Sequence, residues 1–117
     1  MNELKIEMEE TAGGVRIFRP TGPLILNTVF EFHDLARAHG DSGILLELSG
    51  VPYMDSAGLG AVLGIMASCQ RKGHGFGITG MTDRVTMLLK VSRVDGLIPT
   101  FQSVESAACG LSRAASA

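Results

Sequence analysis

The run Gly43-Ile44-Leu45-Leu46-Glu47-Leu48 has no polar alternation until its end, the pattern of a strand covered on both faces. Such a strand predicts the centre of a sheet, and the rest of the chain is read around it. Upstream, Leu4, Ile6 and Met8 alternate with Lys5 and Glu7, a period of two that predicts a short half-exposed strand. Gly13-Gly14 turns the chain into Val15, Ile17 and Phe18, a second strand closed by Pro20 and Gly22, so the domain opens on a hairpin. From Asn27 the period lengthens. Asn27 or Thr28 caps a helix carrying Val29, Phe32, Leu35, Ala36 and His39, and Gly40 stops it.

Beyond the central strand, Leu59, Val62, Leu63, Met66, Ala67 and Gln70 recur at helical spacing up to Lys72-Gly73. Gly75-Phe76-Gly77-Ile78-Thr79-Gly80 predicts a fourth strand, its glycines marking a bulge or a close backbone approach. Thr82 caps a third helix with Val85, Leu88 and Leu89 inward. Leu97-Ile98-Pro99-Thr100-Phe101 predicts a last strand, at an edge because proline cannot donate to a ladder. Ser103 starts a final helix with Val104, Ala107, Ala108 and Leu111 on one stripe, and the tail 112–117 has little to bury and should fray. This order of elements implies parallel pairing through right-handed crossovers after an antiparallel start. The expected fold is therefore α/β: one domain over residues 1–111, with a mixed sheet of about five strands and helices mainly on one face.

Composition removes several classes of function. At 117 residues the chain can bury one core without staples. Its formal charge of −2 offers no basic field for a polyanion, so nucleic acid is not an expected partner. Cys69 and Cys109 have no Cys or His at ligand spacing, so no metal site or cofactor is expected; reduced thiols in apolar helix faces fit better, with a bridge left open. No apolar stretch nears the ~20 residues of a bilayer span and the N-terminus lacks a leader pattern, so the expected location is the cytoplasm, off the membrane.

The stretch with chemistry is Tyr53-Met54-Asp55-Ser56-Ala57-Gly58-Leu59-Gly60, which ends an apolar strand and opens a helix with a hydroxyl at the turn. Ser56 there either caps the helix or presents its hydroxyl for modification, since a phosphate would meet free amides and the positive end of the helix dipole. Asp55 either positions that hydroxyl or competes for the cap. Gly58 and Gly60 admit a close approach by another backbone or a phosphate, or else serve tight packing of helix on sheet. Leu59 and Met54 are either core or exposed anchors for a partner.

In element order and length the whole chain resembles a STAS domain of the anti-sigma factor antagonist type. Residues 53–60 match that family's central motif at nearly every position. The resemblance implies a binding protein, not an enzyme. Its unmodified form would capture an anti-sigma factor that is also a serine kinase, freeing a sigma factor; the kinase would phosphorylate Ser56 and a serine phosphatase would reset it. Met54, Asp55, Ala57, Gly58 and Leu59 are then the expected partner-binding residues. The alternative is a STAS scaffold or partner-switch module acting on some other target.

Two positions depart from the family pattern. Antagonists commonly carry Gly-x-Leu/Ile-Asp after the second strand, whereas this chain has Gly22-Pro23-Leu24-Ile25, and the loss of the acidic group bears on partner choice. After the third helix a glycine turn is replaced by Ser92-Arg93-Val94, where Arg93 should resist a left-handed conformation and alter the turn. A hydrolase triad of Ser56, Asp55 and one of His33, His39 or His74 is disfavoured, because the motif is not Gly-x-Ser-x-Gly. Gly73, Gly75 and Gly77 precede a strand and lack a following Lys-Ser/Thr, so they read as a turn and not a phosphate loop.

Overall fold

A computed structural model describes residues 3–111. Its elements are β1 (Lys5–Glu10), β2 (Val15–Thr21), α1 (Val29–Ala38), β3 (Gly43–Glu47), α2 (Ser56–Arg71), β4 (Phe76–Thr79), α3 (Asp83–Val91), β5 (Thr100–Phe101) and α4 (Val104–Leu111). The expected tail at 112–117 lies outside the described residues. The strands form a single sheet in the order β1-β2-β3-β4-β5, antiparallel for the first pair and parallel thereafter. β3 is the middle strand, and all its residues but Glu47 are buried.

Because each parallel strand is added on the same side of the last, crossovers of one hand place every connecting helix on the same face. Phe18, Ile44, Leu46, Phe76 and Ile78 of the sheet accordingly meet Phe32 and Ala36 of α1, Val62, Ile65 and Cys69 of α2, and Val85 and Leu89 of α3 in one core. The alternate residues Val15, Ile17 and Leu45 point the other way and are covered by Ala107, Val104 and Leu111 of α4. Three helices on one face and one on the other satisfy the expectation from strand order. The glycines of the fourth strand mark a close approach: a Cβ on Gly77 would overlap the Phe101 ring, and one on Gly75 would crowd Leu111.

Several local expectations are corrected. Thr28 does precede α1, but its hydroxyl turns back, accepting from the Ile25 amide at 3.1 Å and donating to the Pro23 carbonyl at 2.8 Å, so it closes the loop instead of capping the helix. In α2 the buried residues are Gly58, Leu59, Val62, Ile65 and Cys69, while Gln70 is exposed and Leu63, Met66 and Ala67 are half-buried. That helix is apolar or small almost all round, so periodicity alone locates its inward face poorly. β5 keeps only Thr100 and Phe101 of the run 97–101, and lies at the edge as expected. Cys69 is buried, its thiol pushed up by desolvation against a smaller lowering by Lys72, but Cys109 is exposed, not set in an apolar face.

Arg93 does adopt the left-handed conformation, with φ of 61°. The end of α3 dictates it: the Val94 amide donates to Leu89 O and the Arg93 amide to Lys90 O, both at 3.1 Å, which closes the last turn only if the intervening residue reverses hand. Val94 then packs on the core beside Leu89. An L-residue in that conformation costs ~1–2 kcal/mol, and glycine's greater unfolded freedom offsets part of it. Arg93→Gly is therefore expected to stabilise the fold by about 0.5–1 kcal/mol, read as a higher urea midpoint at unchanged m-value.

Candidate functional site

The loop between β3 and α2 is held from two sides before it delivers Ser56. On one side the Leu24 amide donates to Tyr53 O and the Asp55 amide to Leu24 O, each at 3.2 Å, so Leu24 and Met54 lie as a single parallel bridge beyond the sheet. On the other, the Thr82 hydroxyl donates to Val51 O at 3.1 Å, and Arg84 stacks 4.8 Å from the centre of the Tyr53 ring. On the Leu24 side the mount is backbone bonded to backbone, which gives a following side chain a defined place.

Asp55 takes the cap. Its backbone is extended, and its Oδ1 accepts the Gly58 amide at 3.0 Å. Ser56 is already helical, one residue past the position from which a side chain reaches the third amide of the helix. The other carboxylate oxygen, Oδ2, accepts the Leu26 amide at 3.1 Å, so Asp55 also joins α2 to the loop between β2 and α1. Ser56 itself is exposed at the first position of α2, where unpaired amides and the helix dipole favour an anion. The expectation that Ser56 caps the helix is therefore corrected: Asp55 makes the cap, and Ser56 stands exposed outside it.

The two glycines of the motif separate in the same way. A Cβ on Gly58 would overlap the Leu24 carbonyl oxygen and press on Met54, so this glycine serves close packing of α2 against the preceding loop. At Gly60 a Cβ would meet nothing within 4 Å. Met54 and Leu59, each 8% exposed, have their side chains in the core, and Gly58 is buried. These three lie beneath the surface; Asp55 and Ala57 are half-buried at its rim.

Two surface residues escaped the sequence reading. Leu26 and Phe30 are 58% and 68% exposed, and with Val29, His33, Ala57 and Ala61 they line an open apolar groove between the starts of α1 and α2. Phe30 could have been found, because it stands off the stripe of Val29, Phe32 and Ala36 that faces the core. Leu26 carries no such signal, since its exposure depends on how the loop is folded. Ile25, where relatives carry an acid, is half-buried, and its carbonyl accepts the Thr28 and Val29 amides at 2.9 Å. His39 is not brought to Ser56 but sits on Arg16, Nδ1 to guanidinium 3.2 Å, in a cluster with Glu10 and Asp41 at the far end of α1.

Among the described residues, no group of three or more His, Cys, Asp or Glu is placed to hold a metal ion, and no helix is long and apolar enough to cross a membrane. Residues 5–107 match the family model of the STAS domain. Among solved structures, an anti-sigma factor antagonist from Mycobacterium paratuberculosis aligns with a TM-score of 0.79 at 19% identity, covering 93% of this chain and 94% of that one. The anti-sigma factor antagonist SpoIIAA, in its unphosphorylated form, aligns with a TM-score of 0.74 at 18% identity, covering 91% and 94%. The murine Solute Carrier 26 family member A9 anion transporter aligns with a TM-score of 0.73 at 16% identity over 93% of this chain but 22% of its own. At these identities the likeness concerns the fold.

Proposed function

The chain belongs to the STAS domain family, and from that premise we propose that it is an anti-sigma factor antagonist, a regulatory binding protein of the cytoplasm and not an enzyme. In this reading the unmodified chain binds an anti-sigma factor with serine kinase activity and so releases a sigma factor. The observation that carries it is the exposed Ser56 on a rigid mount, one residue from Ala57 on the wall of the apolar groove. In the kinase step the Ser56 oxygen attacks the γ-phosphorus of ATP, the bond to the bridging oxygen breaks, ADP leaves, and the hydroxyl proton passes to a base of the kinase. The product carries about −1.5 to −2 charge at the rim of the groove, which a docked partner would have to desolvate. A serine phosphatase hydrolyses the ester and restores binding.

The partner contact rests on burial more than on ion pairing. Ile25 supplies no acidic group, and the side chains standing out beside Ser56 are Leu26 and Phe30. Asp55 and Ala57 frame that surface, while Met54, Gly58 and Leu59 shape it from below. Leu26→Asp or Phe30→Asp is expected to weaken partner binding at least about tenfold, roughly 1.4 kcal/mol, while the thermal midpoint stays near that of the parent because both side chains are already exposed. Isothermal titration beside a melting curve separates the two quantities.

The deciding experiment is to incubate the chain with ATP and the kinase-type anti-sigma factor, then map phosphate by mass spectrometry. Phosphate on Ser56 and loss of the complex support the reading; an unmodified Ser56 in a stable complex overturns it. The apolar Ile25 favours a second reading, a STAS scaffold or partner-switch module with a target other than a sigma factor. Binding indifferent to charge at Ser56 would select that scaffold role.

A further inference from the structure

Both oxygens of the Asp55 carboxylate are committed, and to different elements: Oδ1 to the Gly58 amide of α2 at 3.0 Å, Oδ2 to the Leu26 amide of the β2–α1 loop at 3.1 Å. The second bond is the notable one. A cap needs a single acceptor, and the loop is already secured without Asp55's side chain, by the Leu24 bridge and by Thr28 bonding Ile25 and Pro23. What the Leu26 bond adds is a fixed place for the one loop side chain that stands exposed and apolar next to the modification site.

We propose that Asp55 is a positioning residue that ties the Ser56 turn to Leu26, and that a phosphate on Ser56 acts in part by breaking the Asp55–Leu26 bond. The proposal rests on the reading of Ser56 as the modified residue, and it concerns how modification reaches the apolar surface. A phosphate one residue along the chain brings a dianion beside the Asp55 carboxylate, and the two anions seek the same few amides at the start of α2. Repulsion turns the carboxylate away, and the bond that yields is the one to Leu26, because Gly58 is fixed within the helix whereas Leu26 lies in a loop and is exposed to water. Leu24 and Thr28 keep the remainder of the loop in place. The docking surface thus loses its ordered Leu26 while the fold is retained, so modification disables binding by geometry as well as by charge.

The test uses the full ¹⁵N-labelled chain in three forms: unmodified, Asp55→Asn, and with phosphoserine built in at position 56. Asparagine keeps the cap through its own oxygen, but its NH₂ group cannot accept from the Leu26 amide. The Leu26 amide proton is expected to move upfield in Asp55→Asn, and in the same direction by a comparable amount in the phosphoserine form. A Leu26 resonance unmoved by Asp55→Asn, unmoved by phosphoserine, or shifted downfield by it as the phosphate itself accepts that amide, would overturn the proposal. No kinase enters the measurement, so a kinase that ignores Ser56 shows in its own assay as failure of the functional reading, whereas a Leu26 resonance that does not move as expected shows here as failure of this proposal alone.

Discussion

Ser56→Asp is expected to cost the chain its complex with the anti-sigma factor, while Ser56→Ala binds whether or not ATP is present. A charge placed at the rim of a desolvated apolar contact, with no partner cation, carries a penalty of roughly 2–5 kcal/mol, which is about 30-fold or more in affinity. The aspartate carries less charge than a phosphate, so its effect is a lower bound for the modified protein. Neither substitution should unfold the domain. The cap is made by Asp55 and Ser56 is exposed, so stability should change by no more than about 0.5 kcal/mol in either variant. Titration against the purified anti-sigma factor reads the first quantity, and urea unfolding reads the second. Loss of about 1 kcal/mol or more of stability in Ser56→Ala would instead assign the serine to the cap.

The second large effect is on the fold itself, and it comes as a pair of opposite signs within one motif. Gly58→Ala places a methyl group against the Leu24 carbonyl oxygen, and both that carbonyl and the Cα bearing the methyl belong to backbone that other bonds hold in place. Overpacking of this kind costs ~1–3 kcal/mol, occasionally more, against a gain in helix propensity of ~1 kcal/mol; since backbone cannot yield as a side-chain tip can, the net loss is expected near the upper end, about 2 kcal/mol. Gly60→Ala, two residues on, meets open space and keeps only the propensity gain, so it should stabilise the domain by about 0.8–1 kcal/mol. Urea midpoints of the two variants should therefore move apart in opposite directions from the parent. Equal shifts would mean that α2 does not sit on the Leu24 carbonyl in solution.

Displacing Leu24 would also be felt at the surface, because Leu24 shares a bridge with Met54 and lies two residues before Leu26. Gly58→Ala is accordingly expected to weaken partner binding, although Gly58 is itself buried. Met54 and Leu59 keep their side chains in the core, and Gly58, which has no side chain, is buried against the Leu24 carbonyl, so all three can bear on the surface only from beneath it.

Much of the architecture was legible in the chain because it depends on neighbours within a few residues. The apolar run at 43–48 required cover on both faces, the alternation at Leu4 to Met8 marked a half-exposed strand, and Pro99 confined the last strand to an edge. The Thr82 cap was likewise local, and its hydroxyl does accept the Val85 amide at 3.4 Å. Errors arose where local signals were flat or were overruled from a distance. α2 offers small or apolar residues on nearly every side, so its buried stripe fell on Ile65 and Cys69. Arg93 went left-handed against its own preference because two amides at the end of α3 needed that reversal.

The sequence by itself determined that a strand covered on both faces leads into a helix that opens at Asp55-Ser56. Periodicity and capping act over one or two turns of chain, so they are written in short stretches of residues. Which of the two caps, whether the serine points out, and what stands beside it were decided only when the β2–α1 loop came to rest against α2. The Leu26 amide meets the Asp55 carboxylate across 29 residues of chain, and Phe30 becomes a surface residue only once the face of α1 bearing Phe32 and Ala36 has been buried. Contacts of that separation follow from the packing of layers, and no local pattern of residues specifies them.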